Sequence, residues 1–153
     1  MRRFIFIFLV LLSSLLTGCS STEDYHFDDK DIKISLINQL INDQYRTYSF
    51  EVENTGKLEI KYLNFYLYYP VIVGNGGFTG NPFKIEGKAD ISKPINIRTK
   101  EKITYTILAQ IKGVFGNSKS LDFNHPQVEL NGLVEQGKED IPFEMSGGYL
   151  KMK

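Results

Sequence analysis

The fold class of this chain is decided by the stretch YSFEVENTG at residues 48–56. Tyr48, Phe50 and Val52 alternate with polar residues, and this period of two is typical of a strand with one buried face. The stretch ends in Asn54-Thr55-Gly56, residue types that favour a turn because glycine tolerates positive φ and asparagine bonds to nearby backbone. The pattern therefore predicts a half-buried β-strand followed directly by a turn.

The segment after this turn predicts a second, longer strand from about residue 58 to residue 69. Its apolar residues keep one parity up to Tyr62 and the opposite parity from Leu63 onward. A one-residue slip would turn the core face of the strand to solvent. We therefore expect a β-bulge or a strong bend between Tyr62 and Leu63.

The rest of the chain carries similar patterns on both sides. Upstream, alternation from residue 32 predicts a strand, although a helix over residues 34–41 competes with it because Ile37, Leu40 and Ile41 suit a helical face. Downstream, we expect strands near residues 83–86, 95–98, 103–111, 128–133 and 141–145, loops at 74–82 and 113–126, and a last hairpin from Gly147-Gly148 into residues 149–152. About seven to nine short strands separated by turns predict an all-β antiparallel sandwich.

The pairing of SFEVENTG, residues 49–56, with a long following strand resembles immunoglobulin-like domains of bacterial surface lipoproteins. It is also similar to sandwich domains of the late-embryogenesis-abundant type. The likeness covers about residues 32–112 and implies an immunoglobulin-like antiparallel β-sandwich. Those families share no single activity, so the likeness implies no function.

The N-terminus has the parts of a secretory signal, namely Arg2-Arg3, an apolar run at residues 4–12 and small residues before Cys19. The apolar run is too short for a comfortable membrane span, which needs about 20 residues. The segment ends in Leu16-Thr17-Gly18-Cys19, which resembles the lipobox of bacterial lipoproteins. The resemblance implies cleavage before Cys19 and a diacylglyceryl group on its thiol.

The lipobox resemblance divides the chain into a signal peptide at residues 1–18, the lipidated Cys19 with a flexible tether through residue 30, and a β-sandwich domain at 31–153. It implies an anchor in the cell membrane, with the domain on the extracytoplasmic side. Ser20 would favour the outer membrane in a bacterium with two membranes, whereas the Lys-, Ile- and Asn-rich composition slightly favours a one-membrane source. Two or three acyl chains anchor durably, since each buried methylene contributes about 0.8 kcal/mol.

Charge and cysteine content narrow the functional classes. The chain has 18 basic and 18 acidic residues, and removal of Arg2 and Arg3 with the signal peptide leaves a small acidic excess. This near-balance provides no electrostatic basis for binding nucleic acid. Cys19 is the only cysteine, so the lipidated protein has no thiol for a disulfide and depends on core packing.

Two features are candidate binding surfaces. Tyr66 and Tyr68 have the parity opposite to Phe65 and Leu67, and therefore face outward if the latter face the core. Outward tyrosines can stack on sugars or anchor a protein partner, although tyrosine is also a common structural residue of strands. Phe78 would lie at the tip of the glycine-rich loop, which either serves recognition or simply connects strands.

No catalytic, metal or cofactor site is predicted. The glycine-rich loop lacks the spacing and the following helix of a phosphate-binding loop. His26 lies among four aspartates between residues 24 and 31, where a weak cation site competes with a solvated linker. His125 follows Asp122 by three residues, but the sequence nominates no nucleophile beside this pair.

We therefore expect a non-enzymatic, membrane-tethered β-sandwich that binds a protein partner at the cell envelope, as an accessory or interaction module. A cell-wall carbohydrate-binding module is the alternative. A hydrolase built from dispersed carboxylates or from His125 is the third hypothesis.

Overall fold

The computed structural model describes residues 26–92, 95–116 and 118–147. Its long strands are β1 (Ile32–Ile41), β2 (Tyr45–Asn54), β3 (Glu59–Tyr68), β8 (Lys102–Gln110), β9 (Gln127–Gln136) and β10 (Glu139–Gly147). Its short strands are β4 (Val71–Ile72), β5 (Phe78–Thr79), β6 (Ile85–Glu86) and β7 (Lys88–Ala89). The described residues also form three short helical turns, two of the 3-10 type (Asp29–Asp31 and Gly74–Gly76) and one of the π type (Ile111–Phe115). Within these residues no helix has the length and apolar character that crossing a membrane requires.

The long strands form two antiparallel sheets, one in the order β1-β2-β8-β7 and the other in the order β10-β9-β3-β6. The first sheet has the A-B-E-D order of an immunoglobulin domain, and the second has its G-F-C order with β6 added at the edge. Buried side chains from both sheets form one apolar cluster between them. The predicted all-β, immunoglobulin-like sandwich is confirmed, and β1 is a strand rather than a helix.

The core between the sheets is built from aromatic side chains supplied by alternating strand positions. Phe50 of β2 packs on Phe65 of β3 with ring centroids 5.0 Å apart, and Phe65 stacks on Tyr105 of β8 at 5.2 Å. The Tyr105 hydroxyl donates to the Leu63 carbonyl across the core at 2.9 Å. Burial raises the pKa of Tyr105 well above its usual range. This hydroxyl is therefore a neutral donor that ties the two sheets together.

Glycine has a steric role where β9 meets β10. A Cβ atom at Gly132 would lie 2.4 Å from the Phe143 ring and 2.7 Å from the Tyr62 carbonyl. The absent side chain lets the Phe143 ring lie directly over β9. Phe27 then packs on Phe143, with centroids 4.5 Å apart. The packed structure therefore includes residues from Phe27 onward, which the sequence analysis assigned to the tether.

The bulge in β3 is real but lies earlier than expected. The pairing of β3 with β9 shifts register between Ile60 and Tyr62, so the extra residue is Lys61. As a result Tyr62 points out of the sheet and is 37% exposed, and does not face the core as its parity suggested. The bulged Lys61 reaches Glu59 at 3.2 Å and Glu135 at 2.8 Å, contacts that periodicity does not reveal.

Three further expectations need correction or fall outside the described residues. The strand expected at 95–98 is reduced to a single bridge between Ile97 and Ile60, although Ile95 and Ile97 are buried. The glycine-rich loop is partly a small hairpin, in which Val71 pairs with Thr79 and Ile72 with Phe78. The last hairpin expected after Gly147 lies outside the described residues.

Candidate binding surface

The sandwich has two ends, and they can be defined by the turns that lie there. The N-terminal end contains residues 28–31 and the turns at 55–58, 98–101 and 137–138. It is held together by backbone bonds such as Thr55 N–H to the Asp31 carbonyl at 2.8 Å. The distal end contains the loops at 42–44, 69–84 and 111–126. The last two loops are joined by the Asp122 N–H, which donates to the Pro70 carbonyl at 2.9 Å.

The N-terminal end is organised around Asn54, whose side chain is fully buried. Its amide nitrogen donates to the carbonyls of Leu58 at 2.8 Å and Ile97 at 2.9 Å, and its amide oxygen accepts from the Gly56 N–H at 3.0 Å. One side chain thus satisfies three buried backbone groups. This accounts for the turn signal in the sequence, since asparagine closes the turn through its own side chain.

Charged side chains surround this asparagine at the surface. Lys61 bridges Glu59 and Glu135 in one sheet. In the other sheet, Lys102 of β8 lies 2.7 Å from Glu51 of β2. The hydrogen bond to Glu135, followed by that to Glu59, raises the pKa of Lys61. Several acidic and basic groups of this end are therefore paired with each other.

The distal end is held together mainly by aromatic rings. Tyr69 is fully buried, and the rings of Phe115 and Phe123 pack edge-on against it with centroids 5.5 Å and 4.9 Å away. Phe83 packs edge-on against Phe115 at 5.3 Å. The cluster joins two connections that are far apart in sequence, residues 69–84 and 111–126, so it fixes these loops to one another.

Three polar side chains contribute to this aromatic cluster: a pair of tyrosine hydroxyls and one guanidinium group. The hydroxyls of Tyr48 and Tyr69 lie 3.4 Å apart in the interior, and burial raises the pKa of Tyr69 far above its usual range. The Arg46 guanidinium donates to the Phe123 carbonyl and lies 5.8 Å from the centroid of the Phe123 ring. Its aromatic contact is of the cation–π type. Arg46 therefore ties the loop at 111–126 to β2.

The outside of the distal end exposes several large apolar side chains. Phe78 is 58% exposed, and four more exposed apolar side chains come from the same group of loops, namely Ile72, Val73, Phe83 and Val114. Exposed apolar side chains that cluster mark interaction surfaces, whereas single ones are ordinary. We call these five residues the distal apolar patch.

Phe78 belongs to this patch but does not lie at a loop tip, as the sequence analysis expected. It lies in β5, opposite Ile72 of β4. The chain reverses at residues 74–76, where Gly76 adopts a φ of +74° that a side chain would resist. The Val73 N–H donates to the Gly77 carbonyl at 3.0 Å and closes the turn. Phe78 is thus presented on a small hairpin.

Tyr66 and Tyr68 lie on the outer face of β3, because their neighbours Phe65 and Leu67 are fully buried. Both tyrosines are half-buried. Tyr66 lies between Glu129 of β9 and Glu86 of β6. Lys84 crosses this surface and pairs with the buried Glu129 carboxylate at 2.5 Å. The tyrosines therefore line a surface of mixed aromatic and polar character, not a bare aromatic platform.

The two histidines occupy different settings. His125 is largely exposed, and its ring nitrogen lies 2.7 Å from Asp122, whose carboxylate also accepts the backbone N–H groups of Asn124 and His125. These bonds close the turn that begins at Asp122. His26 is exposed, and the nearby Asp28 caps the 3-10 turn by accepting from the Lys30 N–H at 2.7 Å. Across the residues described, no three His, Cys, Asp or Glu side chains form a group that could hold a metal ion.

Cys19, the predicted lipidation site, lies outside the described residues. The sequence pattern does not reveal the aromatic cluster at the distal end. Its members Phe83, Phe115 and Phe123 lie in connections, where no periodic pattern marks them. The available signal was the unusual presence of large aromatic residues in segments that otherwise have loop composition.

Comparison with known proteins leaves the function open. No protein-family model matches the chain, and no curated protein matches it. The crystal structure of a protein from Archaeoglobus fulgidus aligns with 76% of this chain and 91% of its own, at 10% identity and a TM-score of 0.34. The X-ray structure of the Northeast Structural Genomics Consortium target SoR45 aligns with 80% of this chain and 86% of its own, at 11% identity and a TM-score of 0.28. Neither likeness indicates an activity.

Proposed function

We propose that this protein is a bacterial lipoprotein, anchored through Cys19, whose β-sandwich binds another protein at the cell envelope without catalysing a reaction. The observation that carries the proposal is the contrast between the two ends of the sandwich. The N-terminal segment joins the end with paired charges, and the distal apolar patch lies at the opposite end. A partner that covers this patch would remove apolar surface from water, which is the dominant driving force of association.

The geometry suits a surface held away from the bilayer. Seven residues separate Cys19 from Phe27, the first packed side chain. An extended chain of this length reaches about 28 Å. Phe27 packs on Phe143, and β10 continues from Phe143 to Gly147 for about 13 Å towards the distal end. The distal apolar patch would therefore stand up to about 40 Å from the anchoring membrane, on its extracytoplasmic side.

The anchor is tested by metabolic labelling with a radioactive fatty acid. We expect Cys19→Ser to abolish the label and to release the protein from the membrane fraction. Ser20→Ala is the matched control, because it changes the adjacent residue and keeps the thiol. Labelling that persists in Cys19→Ser would refute lipidation at this residue.

Carbohydrate binding is the second candidate function. It is favoured by the outer face of β3, where Tyr66 and Tyr68 lie beside the amide of Asn131 and the carboxylate of Glu129. Aromatic faces next to hydrogen-bonding groups are suited to sugars. In a pull-down with purified cell wall, this function predicts retention that is lost in Tyr66→Ala/Tyr68→Ala and kept in Phe78→Ser. The protein-binding proposal predicts no retention by the wall.

A further inference from the structure

The four edges of the two sheets differ in how they are protected against pairing with other strands. An edge strand presents unpaired backbone N–H and C=O groups, which natural proteins shield with short strands, charges or proline. Two of the edges, β6 and β7, are only two residues long. The edge strand β10 carries Pro142 in its middle and the acidic residues Glu139, Asp140 and Glu144. These three edges are therefore shielded.

The fourth edge, β1, is long and lacks proline and charge along most of its length, and its one irregularity is a bulge at Ile37. It has ten residues, contains no proline, and carries Lys33 as its one charge. Lys33 is the second residue of the strand, and residues 34–41, which follow it, carry no charge. In the described part of the chain, β1 pairs with β2 alone. Its outer edge is therefore open to an additional strand.

The second half of β1 also exposes apolar side chains. Ile37, Leu40 and Ile41 are 55%, 53% and 50% exposed. Ile37 forms a bulge, after which Asn38–Ile41 pair regularly with β2. Leu40 is opposite Thr47 of β2, and Thr47 is opposite Leu108 of β8, which is itself 52% exposed. An added strand would extend this row of side chains and cover Leu40.

We propose that β1 is a docking edge that accepts an extended segment of a partner protein as an added β-strand. The chemistry of the edge defines the segment. Its backbone must satisfy the outward N–H and C=O groups of β1, and its side chains should alternate between apolar and uncharged polar types to match the neutral residues 34–41. A charged segment would gain no counter-charge along these residues and would lose hydration. This surface is separate from the distal apolar patch, and the proposal stands without lipidation.

A second copy of this chain fits the edge less well when the protein is anchored. Antiparallel pairing of two β1 edges points the two N-terminal ends in opposite directions. Two copies that stand with their strands upright on one membrane, each tethered at its N-terminal end, cannot adopt that arrangement. This one step rests on the proposed anchor, and the experiment below tests it separately.

The test uses the full-length protein in a non-ionic detergent and a fluorescent probe peptide of alternating threonine and valine. We expect saturable fluorescence anisotropy with the unmodified peptide. A peptide of the same sequence with alternate N-methylated amides has similar apolar character but lacks those donors, and should not bind. Equal binding of both peptides, or no binding of either, would overturn the proposal.

Protein variants locate the site. Leu40→Lys places a charge on the docking edge and should weaken peptide binding at least tenfold. Leu108→Lys is the matched control, because it is equally exposed on the same sheet but lies on an inner strand, and should bind normally. Loss of binding in Leu108→Lys with retention in Leu40→Lys would mean that the sheet face binds the peptide, which contradicts the proposal.

Two further outcomes identify other occupants of the edge, and either would overturn the proposal. Sedimentation could show a dimer that Leu40→Lys dissociates, in which case a second copy occupies β1. Alternatively, the peptide could bind only a variant that ends at Gly147, in which case the chain's own C-terminal residues occupy the edge. Phe78→Ser alters the distal apolar patch and should leave peptide binding to β1 unchanged. The docking-edge proposal and the proposed partner binding at the distal end can therefore fail independently.

Discussion

The two ends of the sandwich are stabilised by different physical interactions. At the N-terminal end, the buried Asn54 satisfies three backbone groups, and the surrounding charges pair with one another. At the distal end, aromatic rings fix the loops, and an apolar patch with Phe78 is left in contact with solvent. Polar groups that are already paired offer little to a partner, whereas exposed apolar surface does. The comparison therefore supports the proposed contact surface at the distal end.

Replacement of Asn54 is the strongest test of the N-terminal end. Asn54→Ala removes three hydrogen bonds and leaves the Leu58 carbonyl without its partner, whereas the Ile97 carbonyl and the Gly56 N–H each keep one other backbone bond. Because each lost bond costs about 0.5–1.5 kcal/mol and an unpaired buried group costs more, we expect a loss of about 3 kcal/mol in the free energy of unfolding, measured in urea. Asn124→Ala, at an exposed loop position, should cost less than about 0.5 kcal/mol. Similar effects of the two variants would show that Asn54 does not organise this end.

Removal of one aromatic ring tests the distal end. Phe115 contacts three other aromatic rings but is half-buried, so Phe115→Ala should cost about 2 kcal/mol, less than a fully buried phenylalanine. Limited proteolysis should become faster within residues 111–126. The neighbouring Val114→Ala is the control and should change neither quantity, because this side chain is largely exposed. Unchanged proteolysis in Phe115→Ala would contradict a role of the ring in fixing the loop.

The Asp122 turn predicts a pH dependence at the distal end. Burial opposes ionisation of Asp122, but the bonds from His125 and from the backbone outweigh it, so its pKa lies below the usual value. Because the pKa of Asp122 is lower in the folded state, its ionised carboxylate stabilises the fold at pH values above the unfolded pKa of about 3.9. This stability is lost as the pH falls through the folded pKa. Asp122→Asn should be less stable by about 1 kcal/mol at pH 7. The difference should vanish in strong acid, and a difference that is constant with pH would exclude ionisation as its cause.

The smallest effect is expected from the exposed ion pairs of the N-terminal end. Lys61→Met removes the contacts to Glu59 and Glu135, but all three side chains are substantially exposed. Such pairs contribute little because water and salt screen them. We expect no resolvable change in the urea midpoint at physiological salt, and wild type should show little dependence on salt concentration. A clear destabilisation would mean that charges, and not Asn54, hold this end together.

Period-two alternation and turn residues were sufficient to predict β1, β2, β3 and β8, because each buries one face. The same patterns did not locate the bulge at Lys61, since its position depends on how β3 pairs with β9. They also did not reveal the aromatic cluster, because Phe83, Phe115 and Phe123 meet only in three dimensions.

The candidate surface was predictable to a similar degree. Alternation was sufficient to place Tyr66 and Tyr68 opposite Phe65 and Leu67, but not to show that Lys84 crosses the surface beside them. Glycines indicated a turn before Phe78. They did not indicate the pairing of Phe78 with Ile72, which makes the segment a hairpin. In both cases the local pattern was visible, and the missing part was a contact between distant residues.

The central claim is tested most directly by cross-linking in living cells with a photoreactive amino acid placed at one position at a time. We would place it at Phe78 in the distal apolar patch and at Lys138, an exposed residue of the N-terminal end. The account predicts one dominant envelope protein linked at position 78 and not at position 138. The same products at both positions, or a partner at position 138 alone, would contradict it.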